Sequence, residues 1–209
     1  DPLDFSGFVF PGIVKPVAEG SSKGIFDKSV VADAASAAGL ITQCLHDYDE
    51  PVILETFQPG DEYTVAMIGN QDDLEILPIV GLDFSQLPPA ACKIYSYEAK
   101  WIWDTPEKPL QIFQCPAPLA PERKNAIETL VRNTFRVLEI RDWCRMDVRL
   151  DADGVPHIIE INPIPGILPD PRDNSCFPKA ARTAGYSYPQ LFQKVIDAAE
   201  KRFSGGSHE

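Results

Sequence analysis

No stretch of this sequence stays apolar for the roughly 18–20 residues a helix needs to cross a bilayer, and no charged-then-apolar leader opens it. Positive charge is scarce. The 19 lysines and arginines are outnumbered by 31 acidic residues, leaving a net charge of −12, a field that repels nucleic-acid phosphates and anionic membranes. Any phosphate bound here must be held by a local, metal-assisted site. The five cysteines, Cys44, Cys92, Cys115, Cys144 and Cys176, show no CxxC or metal-finger spacing, and their odd number leaves at least one outside any disulfide, a usage that suits a reducing cytosol. No Ser-His-Asp or Cys-His arrangement is visible, and His46, His157 and His208 look incidental. Nucleophilic catalysis by a side chain is therefore not indicated.

What is present is enough apolar sequence, 44% of the residues, for one large domain or two small ones. Phe8 to Val17 reads as a strand ending at Lys15-Pro16, followed by the loop Glu19-Gly20-Ser21-Ser22-Lys23-Gly24. From Ala32 to Asp47, Ala35, Ala38, Leu40, Ile41 and Leu45 recur at helical spacing, and Pro51 prevents continuation. Val52 to Phe57, Glu62 to Ile68 and Leu74 to Val80 read as an antiparallel meander joined at Pro59-Gly60-Asp61 and Gly69-Asn70. Residues 85–118 are rich in proline and aromatics and read as a long ordered loop carrying Lys93 and Lys100. Pro121 opens a helix whose apolar face runs through Ile127, Leu130, Val131, Phe135 and Leu138, and a last helix spans Pro189 to Phe203. The division expected is a small lid subdomain over 1–82, a C-terminal subdomain over 83–203 and a flexible tail over 204–209.

The segment that carries chemistry is a hairpin. Cys144 to Leu150 and Val155 to Asn162 flank Asp151-Ala152-Asp153-Gly154, and Asp-Gly is the strongest short hairpin signal. A two-residue turn at Asp153-Gly154 sets Asp147 opposite Glu160 and Arg145 opposite Asn162, all on one face. Met146, Val148 and Leu150 then share the core face with Ile159 and Ile161, and His157 falls on that side too. Two carboxylates and an amide oxygen on rigid strands are hard ligands suited to Mg2+ that completes its shell with nucleotide phosphates. The competing reading is a solvated face on which Arg145, Asp147 and Glu160 merely pair across strands. Lys15 likewise has a plain reading, snorkelling to solvent from the end of a strand, and Lys100 one as a cation over Trp101 or Trp103.

The order of motifs is informative: Val14-Lys15-Pro16 with Glu19-Gly20-Ser21-Ser22, Leu54-Glu55-Thr56-Phe57 with Gly60-Asp61-Glu62, Tyr97-Glu98-Ala99-Lys100, Arg145-Met146-Asp147, and Glu160-Ile161-Asn162-Pro163-Ile164-Pro165-Gly166. From Phe10 to about Phe203 the series resembles the D-alanine-D-alanine ligase family of ATP-grasp enzymes. The resemblance implies an α+β ATP-grasp fold of antiparallel sheets and packed helices, with nucleotide held between two subdomains. It implies ATP and two Mg2+ ions as cofactors. Lys15 and Lys100 would contact ATP phosphates, with Glu19, Ser21 and Ser22 in the loop that closes over them. Glu55, Thr56, Phe57 and Ile159 would line the nucleotide pocket and Glu62 would accept from the ribose. Asp147, Glu160 and Asn162 would hold the metals, Lys100 would neutralise developing charge, and Arg145 with the Gly166 amide would hold the tetrahedral oxyanion.

The chemistry so implied is activation of a carboxylate as an acyl phosphate and its capture by an amine. Amino acids or peptides would be the substrates, and a cytoplasmic enzyme that acts on neither nucleic acid nor membrane is expected. Family members carry an N-terminal domain before the equivalent of Lys15, whereas fourteen residues precede it here. A fragment is therefore expected, with the missing domain and a second, homodimeric copy as partners. The alternative is a nucleotide-binding module that does no ligation. Two departures bear on specificity: Trp101 stands where these ligases usually have tyrosine, and residues 169–174 lengthen the stretch before Ser175, the position matched to the acceptor-binding serine.

Overall fold

The computed structural model describes residues 3–105 and 107–205, and the chain divides into two units. The first comprises the chain up to Phe57 together with Phe84–Leu110, the second Gln58–Asp83 together with the chain from Gln111.

In the first unit, strands β1 (Gly12–Pro16), β2 (Val30–Val31) and β3 (Val52–Thr56) form an antiparallel sheet in the order β2-β1-β3. Helix α1 (Ala34–Tyr48) starts where the Asp33 carboxylate accepts the Ser36 amide at 2.8 Å, while the Ser36 hydroxyl accepts from the Asp33 amide. This capping box satisfies two amides that the first turn leaves without helical partners. The helix stops at Asp49, in the left-handed region at φ 51°, just before Pro51. Its buried face is Ala37, Ile41 and Cys44 against Val14, Val31, Val52 and Leu54. Leu45, placed by the sequence on that face, is instead 47% exposed. The other face of β1 and β3 carries Ile13, Lys15, Ile53 and Glu55, as alternation along paired strands requires.

The second unit holds a six-stranded antiparallel sheet, β7-β6-β4-β8-β9 with β5 also paired to β4. Its strands are β4 (Glu62–Ile68), β5 (Glu75–Ile76), β6 (Val80–Leu82), β7 (Phe113–Gln114), β8 (Trp143–Leu150) and β9 (Pro156–Asn162). Helix α2 (Pro121–Val137) lays Ile127, Val131 and Phe135 onto Tyr63, Val65, Met67, Met146 and Val148. Truncating a buried aromatic such as Phe135 would cost ~3–5 kcal/mol in lost transfer energy and cavity. On the opposite face, α3 (Cys176–Thr183) packs on β4, with Phe177 edge-on to Trp143 at 5.5 Å. The last helix, α4 (Tyr188–Gly205), is pinned by Arg202, which clasps Asp142 at 3.0 and 2.7 Å.

Several expectations are corrected. The meander is not one sheet: β3 pairs with β1, whereas β4 pairs with β5, β6 and β8. The cause lies at Gln58–Asp61, where the Gly60 amide donates to Leu150 O at 2.9 Å and a Cβ on Gly60 would sit 2.7 Å from that oxygen. Glycine lets the chain come up against β8 and join its sheet. The boundary at 82/83 therefore gives way to discontinuous units, because β4 to β6 belong with β8. The single strand Leu74 to Val80 is broken into β5 and β6 around Pro78, which has no amide to donate. The 85–118 loop contains a π-helical turn at Ala99–Trp103 as well as β7. Ser204 and Gly205, assigned to a tail, continue α4, and the remainder of that tail lies outside the described residues. No helix among the described residues is long and apolar enough to cross a membrane, and none of the five cysteines, all described, is in a disulfide.

Candidate functional site

In the second unit, β9 pairs with β8 so that Arg145 faces Asn162 and Asp147 faces Glu160, as the sequence predicts, but the route there differs. The turn is longer than two residues: Leu150 pairs with Pro156, and the Asp151 carboxylate accepts the amides of Asp153 and Val155 at 2.9 and 2.8 Å. Continued unbroken, that register would set Glu160 opposite Met146 on the core face. A β-bulge between Asp147 and Val148 intervenes: Val148 pairs with Ile158, Asp147 with Glu160, and Ile159 is the extra residue. Ile158 and Ile161 therefore pack on the core, and Ile159, expected there, does not. His157 is corrected as well. It pairs with Arg149 on the polar face and meets the Asp151 carboxylate at 3.0 Å.

On that face Asp147 is the most contacted carboxylate. Its Oδ1 accepts from Arg145 Nε at 3.0 Å and from the Thr64 hydroxyl on β4. Its Oδ2 accepts from Arg145 Nη2 at 2.8 Å and Asn162 Nδ2 at 3.4 Å. Glu160 lies across from it, 3.8 Å from Arg145 Nη2 and with its side chain 53% exposed. Desolvation first, and then the Asp147 carboxylate, push the Glu160 carboxyl above its ordinary value. Burial opposes the charge of Arg145, but Asp147 outweighs it, and the guanidinium pKa is raised. Two acids and one arginine leave a local excess of negative charge, an arrangement that gains from a bound cation. Among the described residues no three His, Cys, Asp or Glu side chains gather as a metal cluster, here or elsewhere. Two carboxylates and an amide are a partial shell of the kind Mg2+ completes with water and phosphate oxygens.

Further along the same strands, Glu62 pairs in register with Arg149. Arg149 is 3% exposed and donates to Glu62 Oε2 and to Gln58 O, both at 2.6 Å. Beyond β9, the Ser175 hydroxyl donates to Gly166 O and accepts from the Leu168 amide, each at 3.2 Å. Ser175 thus closes the 166–175 loop on itself. A Cβ on Gly166 would meet nothing within 4 Å, so the space beside that backbone is open.

In the first unit, Lys15 on β1 forms an ion pair with Glu55 on β3, on the face away from α1. Thr56 faces Gly12, and the Phe57 amide donates to Pro11 O at 2.8 Å. Ser21 and Ser22 both take left-handed backbone conformations, φ 58° and 62°. The loop is held by the 84–110 segment: the Ser22 hydroxyl donates to Tyr95 O at 2.9 Å and the Trp101 indole donates to Ser21 O at 3.0 Å. Glu19 lies 3.7 Å from Lys23 Nζ, and Lys100 Nζ is 5.8 Å from the Trp101 ring centre. Lys15, Glu55, the serine loop, Lys100 and Trp101 thus belong to one unit, and Glu62, Arg145, Asp147, Ile159, Glu160, Asn162, Gly166 and Ser175 to the other.

The family described as D-ala D-ala ligase C-terminus matches residues 5–197. The chain belongs to that family. Relatives of this D-Ala-D-Ala ligase C-terminus chain include the D-alanine–D-alanine ligases of Actinobacillus succinogenes, 34% identical over 90% of this chain and 53% of that protein, and of Cupriavidus necator, 36% identical over 90% and 52%. It therefore spans about half the length of these relatives. Among solved structures, the ligase of Bacillus anthracis complexed with ATP superposes with a TM-score of 0.71 at 21% identity, over 99% of this chain and 59% of that one. The VanG D-Ala:D-Ser ligase of Enterococcus faecalis superposes with a TM-score of 0.68 at 22% identity, over 92% and 50%. These likenesses establish the α+β ATP-grasp fold that the motifs led us to expect.

Two residues of the candidate site carry little signal in the sequence. Arg149 reads as an exposed strand residue, and only the pairing of β4 with β8 shows that it clamps Glu62. Thr64 is one of several polar residues on an otherwise apolar strand. It too is recognisable only from that pairing, which sets it opposite Asp147.

Proposed function

We propose that this chain is the nucleotide-binding part of an ATP-dependent carboxylate-amine ligase that joins amino acids or short peptides through an acyl phosphate; the relatives it matches are named D-alanine–D-alanine ligases. The observation that carries the reading is the face-to-face pair of Asp147 and Glu160, with Arg145 and Asn162 in the adjoining register. Membership of the ligase C-terminus family adds to it. A merely structural face would gain nothing from setting two carboxylates opposite one another.

Bound Mg2+ would supply positive charge to the phosphates and orient them. Asp147, Glu160 and Asn162 would hold it with oxygen atoms. Lys15 would exchange its Glu55 partner for a phosphate, and Lys100 would add a second cation. The amides of the Ser21–Ser22 loop, turned by two successive left-handed residues, would face phosphate oxygens as an anion-binding concavity. Glu62, fixed by Arg149, would accept from ribose hydroxyls with its remaining lone pairs. Arg145 and the Gly166 amide would meet the charge that develops on the acyl oxygen. We propose a cytoplasmic setting, two metal ions, and a preceding domain and second subunit as partners.

The test is calorimetric titration of Mg2+ with a non-hydrolysable ATP analogue into this chain, Asp147→Ala and Glu160→Ala at fixed salt. Saturable binding that weakens in both variants is expected, and amino acids should then stimulate phosphate release from ATP. Binding without turnover under any amino acid would favour the second reading, a nucleotide-binding module, to which the chain's span of about half its relatives' length lends weight. Absence of binding in this chain and in a version preceded by the relatives' N-terminal half would sink both.

A further inference from the structure

Asp147 needs a donor that survives the arrival of a cation. Of the groups that hydrogen-bond its carboxylate, Arg145 is itself a cation, bonded to both oxygens at 3.0 and 2.8 Å. A metal ion ligated by Asp147 and Glu160 is repelled by a guanidinium that close, at ~4 kcal/mol per unit charge at 4 Å in a partly screened protein environment. Arg145 must therefore loosen its grip on Asp147 as metal enters. Asn162, the second donor, bonds more weakly at 3.4 Å, and the cation would draw its amide oxygen. The Thr64 hydroxyl remains. It is neutral, it donates to Oδ1, and its residue is 4% exposed.

Thr64 is also the best anchored of these donors. It sits on β4, inside the sheet with β6 on one side and β8 on the other, opposite Val80 and Asp147. Its β-branched side chain has little rotamer freedom in such a strand. Packing alone would be met by valine, so the hydroxyl needs another reason to be there. We propose that Thr64 is a positioning residue, whose hydroxyl holds the Asp147 carboxylate in its metal-binding orientation when Arg145 turns from Asp147 toward anionic substrate. This rests on the metal-nucleotide reading above and adds a donor from a neighbouring strand to the site.

The test compares Thr64→Val, which removes the hydroxyl and keeps the shape, with Thr64→Ser, which keeps the hydroxyl. Each is titrated with the non-hydrolysable ATP analogue in Mg2+ and again in EDTA, and with Mn2+ alone. Loss of a group that orients a metal ligand weakens metal binding by ~10–100-fold. That loss is expected in Thr64→Val for the Mg2+-nucleotide and for Mn2+, while affinity in EDTA stays at the parent value and Thr64→Ser recovers most of the loss. Parent-like Mg2+ affinity in Thr64→Val, equal loss in Thr64→Ser, or a deficit that persists in EDTA would each overturn the inference while leaving the ligase reading intact. A parent chain that binds neither Mn2+ nor the Mg2+-nucleotide would remove the ligase reading and this inference together. Should Thr64→Val fail to fold, Thr64→Ala judged against Thr64→Ser decides by the same criteria.

Discussion

Two carboxylate-arginine clusters lie five residues apart around the start of β8, and they are built to opposite ends. Around Asp142 every charge is answered. Arg202 takes both carboxylate oxygens, Asn70 Nδ2 donates to Oδ1 at 2.9 Å, and the Asp142 amide donates to Asn70 Oδ1 at 2.9 Å. The Arg202 hydrogen bond, foremost, holds the Asp142 carboxyl below its usual value. Around Asp147 the single arginine is shared with Glu160, and the Glu160 carboxyl is pushed up. Similar side chains thus make a clamp in one place and, in the other, the incompletely paired acids that we propose as a cation site. What separates them is whether the acids outnumber their partners.

Substitutions should split along that line. Asp147→Ala is expected to have the largest effect on ligand: its metal-dependent nucleotide affinity, read by calorimetry, should fall by more than the ~10–100-fold typical of losing a supporting partner, with a smaller loss of stability than at Asp142, because Glu160 stands ready to take over Arg145. Asp142→Ala should do the reverse. Losing a hydrogen-bonded carboxylate that pins α4 should cost ~1–3 kcal/mol of stability, seen in urea unfolding, with nucleotide affinity unchanged. Equal effects of the two on binding would erase the distinction between clamp and site.

The acid limb gives a finer contrast. Asp142, with its pKa lowered on folding, adds stability that is fully present above the unfolded carboxylate value near 3.9 and is lost as pH falls through the folded value. Asp142→Ala should therefore flatten acid unfolding below about pH 4. Glu160, with its pKa raised, has the opposite sign. Ionising it costs the folded state, so Glu160→Gln should raise metal-free stability at pH 7. With its side chain half exposed the gain is screened to less than ~1 kcal/mol, and it should vanish where the parent Glu160 is protonated in both states. A fall in metal-free melting temperature for Glu160→Gln at pH 7 would mean that Glu160 is a structural partner of Arg145 after all.

Local signals were legible and non-local pairings were not. Apolar spacing marks α1 and α2, with Pro51 beyond the first and Pro121 opening the second, because such signals act within a turn or two. Asp147 and Glu160 were brought together correctly, but through a two-residue turn that does not exist: the Asp151 side chain lengthens the turn, and the bulge at Ile159 compensates. Nothing in Pro-His-Ile-Ile-Glu distinguishes the isoleucine that faces the core from the one that does not, since both have the same chemistry. The assignment of β3 to one sheet and β4 to another was hidden for a different reason. Strands close in sequence normally pair, and only the close approach of Gly60 to Leu150 overrides it. The helix α3 was missed because it is only eight residues long and its N-cap, Ser175, spends its hydroxyl on Gly166 O and the Leu168 amide instead of on the first turn.

The bulge at Ile159 has a genetic consequence. Ile159 is the extra residue of that bulge, so an in-frame loss of its codon would leave Val148 opposite Ile158 and Asp147 opposite Glu160 in an unbroken ladder, with both faces of β9 kept. Past the bulge there is no such slack. Loss of the Ile161 codon would set Asn162 opposite Met146, on the core face. One-codon losses that spare the Asp147–Glu160 face should therefore collect at the bulge and be absent between Glu160 and Asn162.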